Sequence, residues 1–429
     1  MMKIVIVDPV SSGASLAEAF RERGVETFHV YQPELEAAFA ADPAPGGKLL
    51  RTGFDETLTA LRRYGPDAVL AGSEVGVALA DALAAALGLP HNAVGLAPAR
   101  RDKFAMAQAL GRAGVPHAAT AAVAGEGELG TALSRFVHYP VVVKPAASAG
   151  SDGLAICDTE AQVYEAVRGL LGRPNLLGRR NDVVLLQEYL AGPHYILDTV
   201  SVAGRHVVSD VLTVRFDEVE GRPIQRHKTL KVSLGPQDHA VVTYGLQCLD
   251  ALGVSDGAAH TEIRLTDAGP RLIEVNCRLM GPILPSDPYL AALGHSQATL
   301  LADAVLKRAP FDELAARPYA PGRQFAVVFL RAKGSGTVRA MPGLDMIRRL
   351  PTFHSFAKLP SVGTEIKDPL LTTGTAGLAY FVGTDALAVL ADVDHVHALE
   401  DSGLLYDMRG PADGAQGQRH ELLMPSIAR

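Results

Sequence analysis

The apolar and polar positions change period along the chain, and the changes divide it into three parts. Over residues 1–97, short continuous apolar runs alternate with segments of helical period. Lys3–Asp8, Val25–Tyr31 and Ala68–Gly72 read as buried strands. Ser15–Arg23, Glu56–Tyr64 and Ala78–Leu87 read as the intervening helices, and Asp42–Lys48 as a Pro/Gly loop. That order predicts an open parallel α/β sheet with right-handed crossovers. Residues 98–310 mix periods. A helix carries Lys103 in its first turn, apolar strands end at Val123, Lys144 and Gln187–Leu190, and Thr159 caps a helix over Ala161–Leu171. A strand reaches Asp198, a hairpin turns at Gly204, and Pro236–Leu252 reads as an amphipathic helix. Asp287–Lys307 is largely helical and Arg308–Arg323 reads as a linker. Residues 311–429 then give strands from Gln324, turns at Gly334–Gly336 and Met341-Pro-Gly, a helix over Asp385–Leu390 and a frayed tail after Arg409. The expected class is mixed, α/β followed by α+β.

The most informative run is Gly257–Gly281, GAAHTEIRLTDAGPRLIEVNCRLMG. It reads as strands His260–Leu265 and Arg271–Asn276 joined by a turn at Thr266–Pro270. Alternation places His260, Glu262 and Arg264 on one face of the first strand, and Glu274 and Asn276 on one face of the second. In an antiparallel hairpin the two rows lie side by side, with Arg278 close by. Two carboxylates and an amide oxygen suit a hard divalent cation such as Mg²⁺, and an arginine suits phosphate or a developing oxyanion. The plain alternative is an amphipathic hairpin with these residues on its solvated face.

Composition narrows the choice. The 429 residues are enough for several domains, and a formal charge of -7 argues against a general nucleic-acid binder. No uninterrupted apolar run approaches membrane-spanning length, and the N-terminal run is strand-like rather than a signal core. Cys157, Cys248 and Cys277 lack metal-ligand spacing and fit a reduced, cytoplasmic protein. Cys277 reads as packing rather than as a nucleophile.

Two further stretches carry chemistry. Lys144 ends an apolar strand that runs into a small-residue loop containing Ser148, Gly150, Ser151 and Gly153. A buried ammonium needs a partner there, and backbone amides and hydroxyls could close over phosphates. A plain hairpin loop is the alternative, and it leaves Lys144 unexplained. Gln187, Glu188, Tyr189 and Leu190 end another strand, where main-chain groups could read an adenine edge between apolar walls. Ser73 and Glu74 follow a predicted strand of the first sheet, and fit either substrate contact or helix capping. The basic stretch 221–231, with Arg226, His227, Lys228 and Lys231, reads as a solvated loop, with an anion-facing lid as the functional alternative.

Together, RDKFAM, VVVKPAASAGSDG, QEYLAG, HTEIRL and IEVNCRLMG resemble the ATP-grasp superfamily of carboxylate–amine ligases, and within it the L-amino acid ligases that make dipeptides. The resemblance implies a pre-ATP-grasp domain over 1–97, an ATP-grasp domain over 98–310 and a β-rich C-terminal lid domain over 311–429. It implies ATP, two Mg²⁺ ions with Mn²⁺ as an alternative, amino-acid substrates and, as among many relatives, a homodimer. By position, Lys103 and Lys144 would contact phosphates, and Ser148–Gly153 would cover them. Gln187, Glu188, Tyr189 and Leu190 would form the adenine hinge. Glu262, Glu274 and Asn276 would hold metal, Arg278 would stabilise the acyl phosphate and tetrahedral intermediate, and His260 and Glu262 would face the amino acid. Many relatives carry a ribose-binding glutamate where this chain has His194, whose imidazole can also bond a hydroxyl. The rival readings are a biotin carboxylase-like or purine-pathway ligase acting on another carboxylate, and a nucleotide-binding protein without catalysis.

Overall fold

A computed structural model describes residues 2–146, 153–175, 178, 180–219, 222–281, 285–367 and 376–410. The first part folds as expected. Ile4–Val7, Thr27–Tyr31 and Ala68–Ala71 pair in parallel, flanked by helices Ser12–Glu22, Phe54–Tyr64 and Val77–Leu87. A short edge strand, Lys48–Leu50, and a helix, Glu36–Ala41, add to the expected elements. Helix Ser12–Glu22 packs close to the end of strand Ala68–Ala71, because a Cβ on Gly13 would lie 2.4 Å from the Gly72 carbonyl oxygen.

The middle of the chain contributes two antiparallel sheets. The smaller has the order Thr120–Val123, Val184–Glu188, Val141–Pro145, Ala155–Cys157. Thr159 caps the following helix, Glu160–Leu170, in a complete capping box with Gln162. Thr159→Ala is expected to lower stability by about 1 kcal/mol, read as a shift in the chemical denaturation midpoint. The larger sheet has eight strands, in the order Gly269–Asn276, Gly257–Thr266, His194–Val202, Arg205–Val219, Arg222–Leu230, Gln324–Phe329, Leu378–Gly383, Phe353–Ala357. Its last three strands come from beyond residue 310, so the C-terminal part extends the same sheet.

Four local expectations are corrected. Residues 222–230 form a central strand, not a solvated loop. Ile224, Arg226, Lys228 and Leu230 alternate inward and are buried, and the basic residues are accommodated by pairing: Arg226 meets Asp217, Glu400 and Asp401. Met341-Pro-Gly opens helix Pro342–Ile347, since proline suits a first helical turn. The helix begun at Asp385 runs on through Ala386–Ser402, burying Val389, Val393, Val396 and Leu399 at helical spacing. The expected linker also contains a helix, Ala309–Ala315. The tail beyond Gly410 lies outside the described residues.

The large sheet separates two apolar clusters. Ile196, Val200, Leu212 and Leu230 pack on one face with helix Gln297–Val305. Tyr195, Leu197, Val211, Ile263 and Val275 pack on the other with helix Pro236–Ala251. At one end of the first face the side chains become polar. Among the described residues no helix is long and apolar enough to cross a membrane.

Candidate active site

The polar end of the sheet is built on the hairpin. Glu262 pairs directly with Glu274, and His260 with Asn276, so the alternation read from sequence puts all four on one face. Glu274 Oε1 accepts from Asn276 Nδ2 at 2.9 Å, and its Oε2 lies 2.6 Å from Lys103 Nζ. Glu262 sits between two imidazoles, 3.4 Å from His260 Nε2 and 3.1 Å from His194 Nε2, the latter off the line of a hydrogen bond. Burial alone would push the Glu262 carboxyl up, but the two histidines outweigh it and hold it well below the usual carboxylate range. Glu274 is also held below that range, with Lys103 overcoming burial and the repulsion of Glu262.

Arg278 follows the second strand. Its Nε lies 3.0 Å from Glu74 Oε2 and its Nη1 donates to the Leu279 carbonyl at 2.8 Å. Glu74, after strand Ala68–Ala71 of the parallel sheet, also pairs with Arg101. The strand-end placement read from sequence therefore brings Glu74 to the site, where it holds Arg278 rather than capping a helix. Cys277 points away and is buried, its thiol pushed up to about 12 by burial, as packing requires.

Lys144 is 7% exposed and donates to Gln187 Oε1 at 2.7 Å, across two directly neighbouring strands. Burial, and then the nearby charge of Lys103, lower its pKa to about 8 against the pull of Glu274 and Glu262. Below pH 8 the folded chain therefore carries a buried ammonium that the unfolded chain, titrating near 10.5, keeps in water. The cost is on the order of 3 kcal/mol, and it is relieved as pH rises from about 8 to about 10.5. Lys144→Met is expected to raise stability at pH 7 by a sizeable part of that amount. The gain should fade toward pH 10, which denaturant titrations at the two pH values would show.

Gln187 thus serves Lys144 and Thr120 with its side chain. The Glu188 N–H donates to the Ala119 carbonyl at 2.9 Å, and Glu188 Oε2 accepts from Ala119 N at 3.0 Å. Tyr189 is exposed and Leu190 buried beside them. The turn that follows needs its glycine: Gly192 has φ +115, and a Cβ there would lie 2.1 Å from the Leu265 carbonyl oxygen. Gly192→Ala should cost about 1–3 kcal/mol from the backbone conformation alone, with the clash in addition, read in the thermal midpoint. His194 stacks on Phe216, over which Arg264 also sits, and Arg264 donates to the Gly192 carbonyl at 2.8 Å. Ser148, Gly150 and Ser151 lie outside the described residues. Gly153 is described, at φ +64.

Lys228, read from sequence as part of a basic loop or lid, instead points inward from a strand. Lys228 is 6% exposed beneath the site, 3.5 Å from Met280 Sδ, and its charge is felt by Glu262, Asp198, Arg278 and Asp210. The signal was the inward alternation of Ile224, Arg226, Lys228 and Leu230, obscured by the basic residues among them. A cavity of about 350 Å³ also lies at the seam between edge strand Ala68–Ala71 and the large sheet. Arg278 is among its lining residues, and Lys103 and Lys144 are not.

Among the described residues, no group of three or more His, Cys, Asp and Glu side chains is arranged to hold a metal by itself. The donor set offered by Glu262, Glu274 and Asn276 is instead partial and all oxygen. It fits an ion such as Mg²⁺ that takes its remaining ligands from phosphates and water.

Comparison with known proteins places the chain in a family. A family model described as an ATP-grasp domain matches residues 137–287. Dapdiamide A synthase of Enterobacter agglomerans is 33% identical over 350 residues, covering 79% of this chain and 82% of that protein. The L-amino acid ligase of Bacillus licheniformis superposes with a TM-score of 0.74 at 18% identity, over 93% of this chain and 97% of that one. The biotin carboxylase domain of 2-oxoglutarate carboxylase from Hydrogenobacter thermophilus, solved as a dimer with MgADP, superposes at 0.63 with 15% identity, over 95% and 90%. The chain belongs to the ATP-grasp family of ATP-dependent carboxylate–amine ligases, enzymes that form C–N bonds.

Proposed function

We propose that this enzyme joins the carboxylate of one amino acid to the amine of a second through an acyl phosphate, releasing ADP and phosphate. The observation that carries the proposal is the convergence of Lys103, Glu262, Glu274, Asn276 and Arg278 at one end of one sheet, with Lys144 beside them. The amino-acid substrate class is supported by the relatives, whose names record dapdiamide A synthesis and L-amino acid ligation. The division at residues 97 and 310 belongs to the same proposal, with the third part sharing the sheet of the second.

In this reading Lys103 and Lys144 bind the phosphates of ATP. Mg²⁺ held by Glu262, Glu274 and Asn276 would neutralise phosphate charge when bound; two ions, or Mn²⁺, are the finer form of the proposal. The Glu188 N–H is committed to Ala119, so adenine recognition uses the Glu188 carbonyl and main-chain groups of Tyr189 and Leu190, with Gln187 positioning Lys144. His194 lies beside Glu262 and stacks on Phe216, and its ring nitrogens have no hydrogen-bond partner among the described residues, which leaves them for a ribose hydroxyl. The Arg278 guanidinium faces the charge that develops on the acyl phosphate and on the tetrahedral oxyanion, and Glu74 holds its orientation. His260 is 4% exposed and acts through Glu262, as a positioning residue.

Phosphate binding beside Lys144 should lift its pKa, so Mg·ATP binding near pH 8–9 should take up a fraction of a proton. Calorimetry in buffers of different ionisation enthalpy measures this, and Lys144→Met should abolish it. The acyl phosphate itself is tested with hydroxylamine: enzyme, Mg·ATP and one amino acid carboxylate should yield the hydroxamate. Rapid ATP turnover with two amino acids but no hydroxamate from either would contradict the intermediate.

A further inference from the structure

Below the site the large sheet carries two more carboxylates that the chemistry above does not use. Asp198 and Asp210 are direct partners on adjacent antiparallel strands, at a point where the register slips between Val208 and Asp210. They are 0% and 1% exposed. Asp198 Oδ1 accepts from His260 Nδ1 at 2.8 Å, and Asp210 Oδ2 accepts from Ser209 Oγ at 2.9 Å. The other two oxygens, Asp198 Oδ2 and Asp210 Oδ1, have no donor among the described residues, although the carboxyls are within hydrogen-bonding reach of each other. Two ionised carboxylates with facing, unsatisfied oxygens at this depth are strongly disfavoured, and one shared proton satisfies both.

We propose that Asp210 is a neutral carboxylic acid that donates its proton to Asp198. Asp198 is then a positioning residue: it accepts from His260 Nδ1–H and fixes the plane of the ring whose Nε2 lies 3.4 Å from Glu262. The surroundings favour the proton on Asp210. Burial pushes its carboxyl well up and the Asp198 charge adds to this, whereas Asp198 has the imidazole to stabilise its anion. The groups facing the pair are Lys228 from strand Arg222–Leu230, His260 from the hairpin, Arg278 just beyond it, Tyr289 from helix Ser286–Leu293, and Tyr319. Lys228 acts on both carboxyls and Arg278 on Asp198, and each is shared electrostatically with Glu262. A chain Asp210–Asp198–His260–Glu262 thus runs from the interior of the sheet to the site, and its functional consequence rests on the role proposed above for Glu262.

The first arm of the test is spectroscopic and independent of any substrate. The infrared spectrum of the full-length enzyme at pH 7 should contain the carbonyl stretch of a buried neutral carboxylic acid, absent from Asp210→Asn. No such difference between the two proteins would overturn the proposal. The second arm is Mg·ATP affinity by calorimetry. Asp198→Asn and Asp210→Ala should each weaken it about 10–100-fold, the range typical of groups that orient metal ligands. Asp210→Asn, whose amide still donates to Asp198, should recover most of the loss. Asp210→Asn as weak as Asp210→Ala, with both folded by circular dichroism, would also overturn it. If Asp210→Ala does not fold, the infrared comparison and the Asp198→Asn and Asp210→Asn pair still decide. Failure of the amino-acid assignment leaves both arms unchanged, so the two claims fail separately.

Discussion

Arg278→Ala is expected to lower ligation turnover by roughly 10²–10³-fold while leaving most of the affinity for Mg·ATP. The guanidinium sits two residues past the strand that carries Glu274 and Asn276, and its hydrogen bonds go to Glu74 and the Leu279 carbonyl. The lysines proposed to bind phosphate, Lys103 and Lys144, are separate side chains, so nucleotide binding is expected to survive the truncation. Only the charge that develops as the carboxylate is phosphorylated and the amine attacks loses its partner. Burial pulls the Arg278 pKa down, but Glu274, Glu262 and Asp198 counter it and the group stays charged. Arg278→Lys should recover only part of the loss, because an ammonium restores charge without the planar fork that Glu74 orients. Steady-state turnover alongside calorimetric Mg·ATP affinity separates the two effects. Wild-type-like turnover in the alanine variant would remove Arg278 from the chemistry.

The second large effect is expected at Glu274, and it should appear in binding. Glu274→Gln should weaken Mg·ATP by more than the 10–100-fold typical of a metal's outer-shell partners, since the carboxylate is proposed as a direct ligand. Without nucleotide the same variant should be somewhat less stable than wild type at pH 7. Lys103 Nζ lies 2.6 Å from Glu274 and holds its carboxyl below the usual range against burial and the opposed charge of Glu262, so the ionised form contributes stability that the amide gives up. The thermal midpoint of the free protein should therefore fall slightly, and the upward shift given by Mg·ATP in wild type should be largely lost. A variant that is less stable when free yet still shifts with Mg·ATP would mean that Glu274 is structural.

What could be read from sequence followed the range of the interactions. The Glu262, Glu274, His260 and Asn276 face was legible because a short turn fixes the register of two adjacent strands. Lys144 was legible because an ammonium closing an apolar strand demands a partner, although that the partner is Gln187 depends on pairing between strands far apart in the chain. Lys103 was placed on the right helix turn, but its contact with Glu274 crosses from one sheet system to another. Asp198 and Asp210 look like ordinary strand residues until the register sets them opposite each other. Strand 222–230 was hidden for a physical reason. Its inward Arg226 is matched by Asp217, Glu400 and Asp401, and Glu400 and Asp401 lie in a C-terminal helix that no local pattern could bring there. The same long-range pairing lets Gln324–Phe329 and Leu378–Gly383 continue the central sheet.

The central claim is most directly tested by measuring phosphate release from Mg·ATP against a matrix of paired amino acids, with mass spectrometry of every positive well. The account predicts wells in which release requires both amino acids and the product mass equals their sum less one water. Release that requires a carboxylate other than an amino acid, with every amino-acid pair silent, would contradict it.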